Sequence, residues 1–284
     1  MGLPRLALLC MFGSRALGRV AVIITGQLRL PRAGVGAVRA RCVGATVFVS
    51  TYDSEADVAY ALASNRNQTL LASAVDVARA RQRAGCCKWE TTGSCWQWWL
   101  LDRGLRRWNE TLRAMDAVVR TRTDLSTPPS FSYAQLAGPA DSISCLTDNL
   151  FVSTGSTFLR VFGGFFDLCE AKYCATAASS AAVWRDYTAR FQDLVVQGNA
   201  SSGGSLFRSC KRAPRPNHVV HNVPWMNLNR KASAGVFYSE YAFAYHVVAS
   251  GARCLPLDVE GAFCLEKSAT DGRGQCREAA GRPR

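Results

Sequence analysis

The residues best suited to chemistry fall in three short stretches. Gly26-Gln27-Leu28-Arg29 follows one buried-looking apolar run, Tyr52-Asp53 a second, and Arg122-Thr123-Asp124-Leu125 a third. A glycine lets a ligand approach the backbone closely, and an arginine fork grips two phosphate oxygens at once. Mg²⁺ or Mn²⁺ usually takes only one or two carboxylates and completes its shell with substrate oxygens, so a single Asp124 suffices for a hard cation. Arg120, Arg122 and Asp124 alternate along an extended segment, which sends all three to one side. They form either an internal ion pair or a site for a cation and a phosphate. Gly26–Arg29 is likewise either an anion-binding loop or a strand-to-helix turn with Arg29 in solvent. Asp148-Asn149, between two later strands, is either a base or acceptor contact or a simple turn.

The elements that must position these groups are legible from apolar patterning. Val20 to Thr25 (VAVIIT) and Ala45 to Ser50 (ATVFVS) are short, β-branched runs of the kind buried on both faces of a parallel sheet. The segment between them reads as a helix running to Arg41, which makes a right-handed βαβ unit. Residues 55–84 are Ala- and Arg-rich and read as mostly helical, and Trp96 to Trp108 as an amphipathic helix. Ala117 to Thr121 (AVVRT) is the third strand in this reading, followed by strands over Ser142 to Leu146 and Leu150 to Ser153. Helices are expected over Thr157 to Ala171, Ala181 to Val196 and Ser239 to Ser250, the last closed by Gly251. Asn199 to Ser205 is a low-complexity loop, and no internal repeat is visible. The whole predicts an α/β fold, a doubly wound, mostly parallel sheet flanked by helices. Such sheets bind ligands beyond the carboxyl ends of their strands, where strand order reverses, and all three stretches lie at strand ends.

Composition bounds the partners. The 284 residues carry 34 Lys+Arg against 21 Asp+Glu, a net charge of +13, which attracts anions. The charge is almost all arginine and is scattered across helices, whereas nucleic-acid binding predicts a dense basic stripe; no nucleic-acid partner is expected. Twelve cysteines, several close in sequence (Cys86, Cys87 and Cys95; Cys169 and Cys174; Cys254, Cys264 and Cys276), lack the paired spacing of a zinc site and read as disulfides. Three glycosylation sequons, at Asn67, Asn109 and Asn199, point to the same oxidising lumen, in the Golgi or endoplasmic reticulum. Residues 1–17 read as a signal or truncated anchor, the only route to a membrane. Residues 18–267 read as one domain and 268–284 as a polar tail. Several features favour a bland reading: His218 and His221 lack a third ligand, Trp96, Trp98 and Trp99 suit a helix core, and Cys86-Cys87 suit separate disulfides. P-loop, esterase and zincin motifs are missing from the sequence.

The motifs taken in order carry a resemblance. A strand ending in Gly-Gln-x-Arg, a second leading to Thr-Tyr-Asp, and a helix bearing Gln97 come first. Asp-Ala-Val-Val-Arg-Thr-Arg-Thr-Asp-Leu, Asp-Asn-Leu-Phe-Val-Ser and a late Ser-Glu-x-x-x-x-x-His helix follow. Over residues 18–255 the set resembles GT-A-like nucleotide-sugar glycosyltransferases of a bacterial, algal and viral type, with Arg-x-Asp in place of Asp-x-Asp. The resemblance implies a GT-A-like catalytic domain that moves a sugar from a nucleotide-diphosphate donor to a glycan or glycoprotein acceptor. It implies that Asp124 holds a divalent Mn²⁺ or Mg²⁺ and that Arg122 lies beside the phosphates. It further implies that Gly26, Gln27, Arg29 and Asp53 face the nucleotide, with Asp148 and Glu240 near the sugar or acceptor. Glu240, at a helix start, also suits the helix dipole. Two rivals are a non-catalytic glycan binder on the same fold and a luminal sulfotransferase, for which Gly26-Gln-Leu-Arg is a poor phosphate loop.

Overall fold

The computed structural model describes residues 18–30, 32–83, 94–126, 132–136, 138, 140–146, 150–168, 250, 252–256 and 264–265. The expected termini, the helices over 181–196 and 239–250, the 199–205 loop, Asp148, Glu240 and both candidate histidines lie outside these residues.

The first strand, β1 (Val20–Thr25), is buried along its whole length, as its unbroken β-branched run requires. Helix α1 (Val35–Arg41) carries the chain to β2 (Thr46–Tyr52), and α2 (Ala56–Leu62) carries it to β3 (Thr69–Ala72). Helices α3 (Ala74–Arg83), α4 (Ser94–Arg107) and α5 (Asn109–Arg113) precede β4 (Ala117–Thr121). Next come β5 (Leu125–Ser126), β6 (Ser142–Leu146), β7 (Leu150–Ser153), α6 (Gly155–Phe162), α7 (Phe165–Leu168), β8 (Arg253–Pro256) and β9 (Cys264–Leu265). Seven strands form one sheet in the order β3-β2-β1-β4-β7-β6-β8; β5 and β9 pair separately. Among the described strands only β7 is antiparallel to its neighbours in the large sheet. The protein is thus mixed α/β with a mostly parallel sheet flanked by helices.

Right-handed crossovers explain the layering. From β1 to β2 to β3 the chain steps in one direction and leaves α1 and α2 on one face; the return to β4 beyond β1 puts the next helices on the other. Alternate residues of the strands divide accordingly. Val22, Ile24, Val47, Val49 and Val119 join Val38 and Leu62 in the core under α1 and α2. On the opposite face Trp98 of α4 stacks on Phe162 and meets Phe151 and Phe165 edge-on or tilted, while Trp108 packs on Phe48. Trp98 is therefore core, as its helical spacing suggested.

Two expectations are refined. Residues 55–84 are mostly helical, as read from the sequence, but Thr69-Leu70-Leu71-Ala72 within them forms β3, the edge strand beside β2. A half-exposed edge strand of four residues carries too little apolar signal to stand out from flanking helix formers. The helix expected over 157–171 starts earlier, at a Thr154 cap, and is interrupted at Gly163-Gly164. Gly164 takes the left-handed conformation (φ +75°), and its N–H donates to Asp102 Oδ1 at 3.2 Å, pinning the break to α4.

Helix α6 crosses α5 at Gly155, where an added Cβ would lie 1.9 Å from the Leu112 carbonyl oxygen. Gly155→Ala is predicted to cost about 1–3 kcal/mol by forcing the helices apart. Gly36→Ala, in α1 with open space around it, is predicted to stabilise by up to about 1 kcal/mol. Urea denaturation midpoints of the two variants, moving in opposite directions, check the pair.

Candidate functional site

Strand order reverses between β1 and β4, so the loops leaving their carboxyl ends face a common crevice. The loop after β1 is held by three side chains from outside it, those of Thr51, Glu55 and Thr123. Gly26 adopts φ +102°, which suits glycine alone, and its carbonyl accepts a hydrogen bond from Thr51 Oγ1 at 2.9 Å. Leu28 turns into the core, and its N–H donates to Glu55 Oε1 at 2.9 Å. The Thr51 hydroxyl also hydrogen-bonds Glu55, so one carboxylate braces both the loop and the end of β2. Gln27 and Arg29 point outward, with Arg29 Nε donating to Gln27 Oε1 at 3.3 Å.

Arg29 itself sits at φ +45°, a region that strains any residue with a Cβ by about 1 kcal/mol or more. The fold tolerates that strain at an exposed arginine where a glycine would relieve it.

After β4 the chain turns. Thr123 and Asp124 form a turn rather than continuing the extended alternation read from the sequence, and Arg120 is separated from the pair beyond it. Arg120 is fully buried under α4. Its Nη2 donates to Gln97 Oε1 at 2.6 Å and its Nε to Thr25 Oγ1 at 3.3 Å, while the guanidinium lies over Trp98 and Phe151. Gln97 thus anchors Arg120, and its Cβ lies 3.5 Å from where a Gly26 Cβ would stand. Arg122 and Asp124 form a bidentate ion pair, Nε to Oδ1 at 2.8 Å and Nη2 to Oδ2 at 2.6 Å. Both side chains are partly exposed. The Thr123 hydroxyl donates to the Leu28 carbonyl, tying the two loops together. Arg29 and the Arg122–Asp124 pair therefore share one end of the sheet.

Asp53 opens a 3-10 turn at the end of β2 and is exposed. It lines a cleft of about 470 Å³ with Tyr52, Ala72, Val77 and Arg81, between the ends of β2 and β3 and the start of α3. Burial, then the nearby Glu55 carboxylate, raises the Tyr52 phenol above its ordinary range, so it stays protonated. Trp96 meets Tyr52 edge-on, Trp99 meets Trp96, and Arg81 and Arg103 lie over Trp96 and Trp99 respectively.

Among the described residues no group of three or more His, Cys, Asp or Glu gathers as a metal site, and the cysteines expected to form disulfides lie outside the residues whose side chains are described. Cys42 is free, and burial pushes its thiol up to about 12 against the pull of Arg41 and Arg39, which makes it unreactive. Among the described residues no helix is long and apolar enough to cross a membrane.

The chain matches no protein-family model and no curated protein.

Of the residues singled out by sequence, Gly26, Gln27, Arg29, Asp53, Arg122 and Asp124 fall at the carboxyl ends of β1, β2 and β4. Asp148 and Glu240 lie outside the described residues. Sequence reasoning passed over Glu55, Thr51 and Thr123, whose backbone-directed hydrogen bonds shape the loops. Glu55, in the acidic first turn after Asp53, was the one with a visible signal.

Replacing Arg29 is predicted to separate strain from charge. Arg29→Gly should be about 1 kcal/mol more stable than Arg29→Ala, since only glycine is at ease at that φ. Paired thermal melts check this. A second prediction concerns Asp76, which caps α3 at the cleft. Its pKa is lowered, chiefly by the Ser73 N–H and further by Arg103 at 3.2 Å. A lowered carboxylate stabilises fully above its ordinary range near pH ~4 and loses that contribution as pH falls. Asp76→Asn should therefore lose less stability than the parent between neutral and strongly acidic buffer, read from urea midpoints at the two pH values.

Proposed function

We propose that this chain is a GT-A-like glycosyltransferase that moves a sugar from a nucleotide-diphosphate donor to a glycan or glycoprotein acceptor in the secretory lumen. The observation that carries this reading is the hydrogen bond between Thr123 and the Leu28 carbonyl. It draws the Arg29 loop and the Arg122–Asp124 turn to one crevice, beside the Asp53 cleft, at the point of strand reversal. The sheet order, with β7 alone reversed, supports the GT-A-like assignment, and the exposed Asn67 of the first sequon is compatible with a lumen.

Breaking the sugar–phosphate bond leaves negative charge on the departing nucleoside diphosphate, and preplaced cationic groups stabilise that charge as it grows. Arg29 reaches solvent from a strained loop, and Arg122 stands at the crevice with its guanidinium already oriented by Asp124. The donor set fits a divalent cation only as a shared ligand, because both Asp124 oxygens engage Arg122. A bound Mn²⁺ or Mg²⁺ would be held by Asp124 and would supply Lewis-acid stabilisation of the developing charge. Asp148 and Glu240 are the candidates for the base that deprotonates an acceptor hydroxyl in an inverting reaction.

Calorimetric titration with UDP and GDP, with and without Mn²⁺, tests the assignment. A non-catalytic glycan binder or a sulfotransferase would take neither nucleotide. Asp124→Asn is predicted to abolish metal-stimulated hydrolysis of the sugar nucleotide while the thermal transition survives. Unchanged hydrolysis removes Asp124 from the site.

A further inference from the structure

The cleft beside Asp53 has a chemistry of its own. Its lining includes the apolar Ala72, Ala74, Val77 and Ala78, together with Tyr52, whose ring meets that of Trp96 with centroids 6.1 Å apart. A mainly apolar cleft with an aromatic residue in its lining suits a nucleobase, and about 470 Å³ accommodates a base with its ribose. Its rim carries one carboxylate, Asp53, and one guanidinium, Arg81, both exposed.

Opposite charges on one rim discriminate among bases. A carboxylate accepts two hydrogen bonds side by side and donates none. Adenine and cytosine set ring acceptors beside their amino groups, which a carboxylate repels, and uracil offers one N–H between two carbonyls. Guanine alone presents two adjacent donors, N1–H and the 2-amino group. It also presents two adjacent acceptors, O6 and N7, the pair that arginine forks engage in duplex recognition.

We propose that this cleft selects guanine, with Asp53 accepting from N1–H and the 2-amino group and Arg81 donating to O6 and N7. The inference rests on the nucleotide-sugar reading and narrows its donor to a guanosine-diphosphate sugar. Arg81 is positioned for this by the Trp96 face 5.4 Å below it.

The test titrates GDP, IDP, UDP and ADP into the full chain and into Asp53→Asn. GDP should bind roughly tenfold to a hundredfold more tightly than UDP or ADP, each good bidentate pair contributing that order of discrimination. IDP, which lacks the 2-amino group, should fall between. Asp53→Asn should collapse the GDP-to-IDP ratio while retaining affinity for the diphosphate. Because Asp53 is exposed, its thermal transition should match the parent. Equal affinity for GDP and IDP, or a GDP-to-UDP ratio untouched in Asp53→Asn, overturns guanine selection and leaves the transferase reading standing. Failure of all four nucleotides to bind overturns both.

Discussion

Between β1 and β4 the chain reverses the direction in which it adds strands, and the candidate site depends on that reversal. Parallel strands on either side of it send their connections to opposite faces of the sheet, which leaves the carboxyl ends of β1 and β4 uncovered by either layer. The Gly26–Arg29 loop and the Arg122–Asp124 turn emerge there because a parallel sheet aligns strand ends. The Thr123 hydroxyl on the Leu28 carbonyl then converts proximity into a fixed spacing.

What lies beneath the crevice is unusual for a sheet core. Burying a guanidinium is costly unless hydrogen bonds and favourable electrostatics replace its hydration. Arg120 meets that cost with Gln97, the Thr25 hydroxyl and the faces of Trp98 and Phe151. The arrangement links the end of β1, β4 and helix α4 through one side chain, so the floor of the crevice is specified by directional contacts as well as by packing. On the other face Glu55 does similar work for the loop, accepting from Leu28 and Thr51. The two anchors hold the Gly26 turn between them. Rigid support of this kind can maintain Arg29 in a left-handed conformation that local sterics disfavour.

Much of the frame was readable from the chain. VAVIIT and AVVRT became β1 and β4 at the expected residues because a strand buried on both faces needs an unbroken apolar, β-branched run. The strands over Ser142–Leu146 and Leu150–Ser153 also stand where apolar patterning set them. Thr69–Ala72 escaped notice because an edge strand is buried on one side only, and its neighbours Asn65 and Gln68 form a capped 3-10 turn that reads as helix. Arg120 was grouped with Arg122 by alternation alone. The turn at Thr123 broke that alternation, and Arg120 went to the core while Arg122 stayed with Asp124.

By itself, then, the sequence determined the α/β class, the places where strands end, and the residue types available at those ends, since these follow from local periodicity and turn chemistry. Tertiary structure decided which ends meet. It also decided that Asp124 is paired to Arg122, that Glu55 braces a loop twenty-seven residues away, and that Asp53 and Arg81 face one cleft. Those outcomes depend on strand order and on hydrogen bonds between residues distant in the chain, and no window of neighbouring residues encodes either.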